Sequence, residues 1–328
     1  MAHNLDFSTG KPAMAYVGEE PWHKLGEKLS ANTSIETWIK AAGLDWQILR
    51  QPVCYHFLDE IRTIPDRHVL IRSDNGAPLS FVSDSYCIVQ PREVIEFYRD
   101  LVAGSAFSLE TAGALDEGRK VWGLARSNFS SEIIQNDRID AFLLLASSCD
   151  KSLATTVAFT SIRVVCQNTL GFAMNQIKGK PAEKCFKVAH DKHFNWAEAK
   201  SKLKLIDHSW GSFIEKVRLL AAENVKQSEV DKFFETLFLT GNKDDKPSHK
   251  SIIEIQNLRS AYINGLGQQF PSTKDTAWGL VNAVTYYVDH QRKSKNQSER
   301  LDSAWFGNGA LLKDKAWDTA IEMFHRAA

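Results

Sequence analysis

The chain has 328 residues, 43% of them hydrophobic and 24% charged, with 40 basic and 40 acidic side chains. That length and composition suit one large or two ordinary folded domains whose core needs no disulfide or metal, and a net charge of zero speaks against a histone-like polycation. No stretch approaches the roughly 18 apolar residues of a membrane span, and residues 1–25 lack the apolar run of a signal peptide.

Residues 34–42 read as a helix capped by Thr33 or Ser34 and ended by Gly43, with Ile35, Trp38, Ile39 and Ala42 on its buried side. Residues 46–57 and 67–72 read as strands. Asp74-Asn75-Gly76 is a hairpin turn leading into a further strand at 79–82. Residues 92–103 form one amphipathic helix closed by Gly104. Strands at 107–114 and 119–126 flank a second turn, Asp116-Glu117-Gly118. The apolar, β-branched runs 139–147 and 155–165 are expected as central strands. Residues 168–177 are expected to be helical. Beyond Trp196 the pattern predicts helices alone, at 196–223, 228–239, 248–264, 274–291 and 314–326, with a polar loop over 291–304. The fold class is therefore α+β. An antiparallel-dominated sheet with packed helices occupies residues 1–177, and an all-helical region, entered through a Lys-rich segment, occupies 178–328.

Five cysteines (Cys54, Cys87, Cys149, Cys166 and Cys185) are widely spaced, odd in number and without a C-x-x-C pair. Reduced thiols and a cytoplasmic location are the expectation. Cys185, His190 and His193 have a spacing that zinc could use, but no fourth ligand is evident, so neither a metal nor a cofactor is expected. Lys178-Gly179-Lys180 lacks the other parts of a P-loop. Gly307-Asn308-Gly309 reads more simply as a tight turn than as a phosphate cradle, and there is no G-x-S-x-G elbow. No catalytic constellation is legible, and the sequence leans away from an enzyme.

The charge is unevenly distributed. Residues 1–175 hold 16 basic and 21 acidic side chains, against 24 and 19 in 176–328. Between 178 and 204 eight lysines (Lys178, Lys180, Lys184, Lys187, Lys192, Lys200, Lys202 and Lys204) face three acids, with Phe186, Phe194 and Trp196 interleaved. Cations for phosphates and aromatic faces for bases are the ingredients of single-strand binding. A solvated linker with its aromatics docked in the core has the same composition. Arg292, Lys293, Lys295 and Arg300 form a second, smaller cluster. A third polar group, Arg163, Gln167 and Asn168, is expected at a strand-to-helix junction. There it would hold an anion or form a structural hydrogen-bond network.

The segment Ser161-Ile162-Arg163-Val164-Val165-Cys166-Gln167-Asn168-Thr169-Leu170 resembles the hallmark of the phage and plasmid family known as domain of unknown function 932. Matching pieces run in order along the chain: Trp22-His23-Lys24-Leu25-Gly26, Ala42-Gly43-Leu44-Asp45-Trp46, Tyr86 with Val89-Gln90-Pro91, Thr111-Ala112-Gly113, Gly118-Arg119-Lys120-Val121-Trp122 and Ala304-Trp305-Phe306-Gly307. One departure stands at Cys149-Asp150-Lys151-Ser152, where the family commonly has His-Asp-Gly-Ser, so a histidine-based role at that turn does not carry over. The resemblance implies a mobile-element setting near DNA processing or anti-restriction. The predicted order of helix, hairpins and helix is loosely similar to ring-forming single-strand annealing proteins.

Together these features point to nucleic-acid binding in phage or plasmid DNA metabolism, with single-strand annealing in recombination as the expected process. Single-stranded DNA is the expected partner, no membrane is involved, and a homo-oligomer is compatible with the sequence. Two alternatives stay open: an enzyme acting on a nucleotide or nucleic acid around Arg163, Gln167 and Asn168, and an interaction or inhibitor protein directed at host defence.

Overall fold

A computed structural model describes the chain apart from residues 1–4, 19, 22–23, 105, 135, 164–167, 172–184, 192, 204–205, 239–247, 294–302, 306 and 325–328. The first helix, α1 (Ile35–Ala41), starts where Ser34 accepts a hydrogen bond from the Thr37 amide, and it buries Ile35, Trp38 and Ile39. Gly43 ends it at a φ of +66°. A Cβ there would stand 2.8 Å from the Ala13 side chain, so the position calls for glycine twice over.

The strands form two sheets rather than the single sheet expected. The smaller joins β3 (Ile48–Phe57), β4 (Glu60–Arg72) and β5 (Pro78–Val82) in antiparallel order. The Asp74-Asn75-Gly76 turn connects β4 to β5, with the Gly76 amide on the Arg72 carbonyl. The larger sheet has the order β10-β9-β8-β7-β6-β1-β2, with β11 also paired to β9. Its strands are β1 (Met14–Tyr16), β2 (Glu27–Lys28), β6 (Phe107–Leu115), β7 (Lys120–Ile134), β8 (Asp137–Ser148), β9 (Thr155–Arg163), β10 (Asn168–Gly171) and β11 (Cys185–Val188). It is mixed, because β1 runs parallel to β2 and antiparallel to β6.

Three further expectations change. The predicted helix over 92–103 is two short ones, α2 (Pro91–Glu96) and α3 (Arg99–Ala103). The break falls at two buried aromatics, Phe97 and Tyr98, and the Tyr98 hydroxyl donates to the sheet carbonyls of Gly123 and Leu143. Residues 168–171 are strand, paired antiparallel with Thr160–Arg163, where a helix was expected. Finally, β11 lies in the region expected to be all-helical. Its four residues, Cys185-Phe186-Lys187-Val188, pair with Thr155–Ala158, and Phe and Val suit a strand.

By contacts the chain divides into two interleaved units. The first comprises residues 1–128, 142–159 and 183–204; the second comprises 129–141, 160–182 and 205–328. In the second, helix α8 (Ala277–Tyr286) is buried from Ala277 to Thr285 and packs against α5 (Ile206–Ala222), α7 (His249–Asn264), α9 (Asn308–Phe324) and β10. An AWGLVNAVTY sequence with no charge is what a central helix requires. The last helix begins at Asn308, six residues before the apolar pattern marks it, so Asn308 and Gly309 are its first two residues rather than the tight turn expected before it. The first unit also holds α4 (Trp196–Leu203) and the second α6 (Gln227–Thr236). Among the described residues no helix is long and apolar enough to cross a membrane.

The first unit is organised around a buried cation. The Arg72 side chain is 0% exposed. Its Nε and Nη2 donate to the two oxygens of Asp74 at 2.9 and 2.8 Å, and its Nη1 donates to Asp6 and to the Glu117 carbonyl. The guanidinium lies 4.1 Å from the Trp46 ring. Burial works against its charge, but the hydrogen bonds it donates to Asp74 and Asp6 outweigh it and raise the Arg72 pKa above its ordinary value. The same hydrogen bond holds the Asp74 carboxyl below the usual carboxylate range.

Removing one partner of such a buried cluster typically costs about 3–5 kcal/mol, because the remaining charges stay buried. Arg72→Met should lower stability by that order in chemical denaturation, and Arg72→Lys should not restore it, since an ammonium cannot reproduce the fork. Because the folded pKa of Asp74 is depressed, its contribution is complete above the ordinary carboxylate value and is lost as pH falls through the folded one. The melting temperature of the wild type should therefore drop more steeply below about pH 4 than that of Asp74→Asn.

Candidate nucleic-acid interface

The lysine-rich stretch enters the described structure at β11, on the edge of β9, with Lys187 exposed. Immediately after the strand the chain is pinned by His190. Its carbonyl accepts the Cys87 amide, its Nδ1 lies 3.2 Å from the Cys87 carbonyl oxygen, and its Nε2 lies 3.1 Å from that of Leu153. The ring also stacks on Tyr86 at 4.8 Å. With both nitrogens engaged in this way, His190 is not poised as a metal ligand.

Further along, two of the interleaved aromatics, Phe194 and Trp196, turn inward. Phe194 is buried, and Trp196, at the start of α4, packs on Phe194 at 4.4 Å and on Phe97 at 5.7 Å. Lys200 bonds Asp100 at 2.6 Å beneath the same Phe97 ring, and that hydrogen bond lowers the Asp100 pKa. This part of the run is thus an internal seam of the first unit rather than a row of free rings and cations. Lys202 lies on α4. Lys178, Lys180, Lys184, Lys192 and Lys204 lie outside the described residues, as do Lys295 and Arg300 of the second cluster. In that cluster Lys293 is exposed, whereas Arg292 places its Nε 3.7 Å from Glu254.

Arg163 and Asn168 are direct partners across the β9–β10 ladder, and Gln167 lies outside the described residues. The helix start on which the anion-holding role of these residues depended is a strand start.

A feature not picked out from the sequence is the outer half of the β3–β4 hairpin. Beyond Pro52 it is a two-stranded ribbon, since β5 reaches only to His68 opposite Val82. Tyr55 stands opposite Arg62 and Phe57 opposite Glu60, so these four share one face. Tyr55 is 45% and Phe57 50% exposed, and the Arg62 guanidinium sits 4.7 Å from the Phe57 ring while bonding Glu60 at 3.0 Å. The run Val53–Phe57 reads as an ordinary strand, and nothing local distinguishes an apolar face awaiting a core from one left in solvent.

At the turn after β8, the Cys149 thiol is buried against the carbonyl of Arg119 and points toward that of Gly118. Burial first, and the nearby Asp150 charge second, push its pKa up to about 12. A thiol held protonated is no nucleophile at neutral pH. Cys54, on the ribbon, is exposed. With native protein and iodoacetamide, peptide mapping should find Cys54 alkylated and Cys149 modified only after denaturation.

The chain matches, over residues 78–305, the family described as a domain of unknown function (DUF932), and it belongs to that family. No curated protein and no solved structure matches it. Several resemblance segments inside the matched span have structural reasons. A Cβ on Gly113 would collide with the Ala13 carbonyl, and one on Gly118 would meet Arg72 Nη1 at 2.5 Å. Gln90 caps α2 and bonds both the amide and the carbonyl of Ile48 with its side chain. The ribbon precedes the matched span.

Proposed function

We propose that this chain is a nucleic-acid-binding protein of phage or plasmid DNA metabolism that engages single strands, with strand annealing during recombination as the process served. One observation carries the reading: residues 178–204 hold eight lysines against three acids, and they meet the fold at an edge strand where Lys187 is exposed. Cations at this density neutralise phosphates. The docking of Phe194 and Trp196 and the pairing of Lys200 shift the expected contacts toward the start of the run, to Lys178, Lys180, Lys184 and Lys187.

The test is binding of a fluorescently labelled single strand, and of its duplex, across a salt series. Affinity for the single strand should fall steeply with salt. Replacing Lys178, Lys180, Lys184 and Lys187 by Ala should flatten the log–log slope by about 0.7 for each phosphate no longer neutralised, with the fold intact by circular dichroism. A wild-type protein that binds neither strand form at low salt would refute the reading.

A further inference from the structure

We infer that the Tyr55–Phe57–Arg62 face of the β3–β4 ribbon is a stacking platform for the bases of a single-stranded nucleic acid. The inference rests on the nucleic-acid reading above and gives it a second contact of different chemistry. The ribbon presents two half-exposed aromatic rings on one face, one of them already carrying a guanidinium at 4.7 Å. Planar rings and Arg planes side by side are what unstacked bases seek, whatever their sequence.

Other occupants fit less well. An aromatic side chain carries about 150–250 Å² of surface, so two half-exposed rings, even with the exposed Ile64 and Leu58 of the same hairpin counted in, offer on the order of 300–400 Å². A stable protein partner needs about 800 Å² from each side. The ribbon's edge is also blunted, because Pro52 has no amide hydrogen and the register slips between Pro52 and Cys54. Both features discourage pairing with a second copy. Phosphate attraction does not explain the face either. Between residues 53 and 67 two arginines stand against three acids, and Arg62 shares its charge with Glu60. Stacking is what the face has left to offer, and it complements a lysine run in which Phe194 is buried and Trp196 is packed on Phe194 and Phe97.

The two contacts separate by their salt dependence, since stacking removes no counterions while lysine contacts do. The test compares wild type with Tyr55→Ala/Phe57→Ala on oligodeoxythymidine and on an abasic strand of equal length. Each stack removed should cost roughly tenfold in affinity for oligodeoxythymidine, with the salt slope unchanged. On the abasic strand the two proteins should bind alike. Tyr55→Trp/Phe57→Trp should keep the wild-type affinity, which separates a stacking role from a folding defect. If wild type binds and the Ala variant binds equally well, the inference falls and the lysine reading stands. Equal losses on both strands would also overturn it. So would an altered sedimentation coefficient with unchanged DNA affinity, which would assign the face to a second copy. Failure of wild type to bind at low salt removes the nucleic-acid reading itself.

Discussion

A guanidinium withdrawn from water cannot be left half-satisfied, and Arg72 sets that constraint for the first unit. It collects a carboxylate from the N-terminal segment, a carboxylate from the β4–β5 turn, a carbonyl from the β6–β7 turn and the face of Trp46. Each of these groups belongs to a different part of the chain, so the cation fixes their mutual positions more sharply than apolar packing does. The β6–β7 turn shows how tightly. Asp116 and Glu117 both take positive φ, a costly conformation for residues with side chains, and Arg72 and Arg119 hold them there.

Much of this architecture can be read from the sequence because it is local. The cap at Ser34, the turn at Asp74-Asn75-Gly76 and the turn at Asp116-Glu117-Gly118 are short patterns with a mechanism. What could not be read depends on distant partners. The stretch 168–171 has no local reason to be strand; β9 makes it one. Two buried aromatics at 97 and 98 break a pattern that otherwise runs on as one helix. The candidate site divides in the same way. Charge density along 178–204 is visible as composition, but that Lys200 is paired and Trp196 docked depends on Asp100 and Phe97, about a hundred residues earlier. The ribbon escaped notice for the opposite reason: its face has no packing partner among the described residues, and absence of packing leaves no trace in the residues themselves.

The family segments acquire a physical meaning from this. Gly113 and Gly118 are fixed by close approaches of Ala13 and Arg72, Gln90 satisfies the amide and carbonyl of Ile48 at the end strand of the smaller sheet, and Tyr86 bonds the Ser148 carbonyl beneath His190. These are requirements of a scaffold. A member of the family can satisfy all of them while differing in the lysine run or the ribbon, so membership predicts the frame better than the ligand.

The clamp at His190 closes on carbonyls at Cys87 and Leu153, the first of them 103 residues upstream. The first unit also takes in residues 142–159 and 183–204, on the far side of segments that belong to the second. During synthesis, therefore, the N-terminal unit cannot finish before two segments of its neighbour, residues 129–141 and 160–182, have left the ribosome. Until residue 190 emerges, Tyr86 lacks its stacked partner and the 155–158 stretch of β9 lacks β11 along its edge. The nascent chain has to carry an open sheet margin through that interval, a period of exposure that proteins built from consecutive domains avoid.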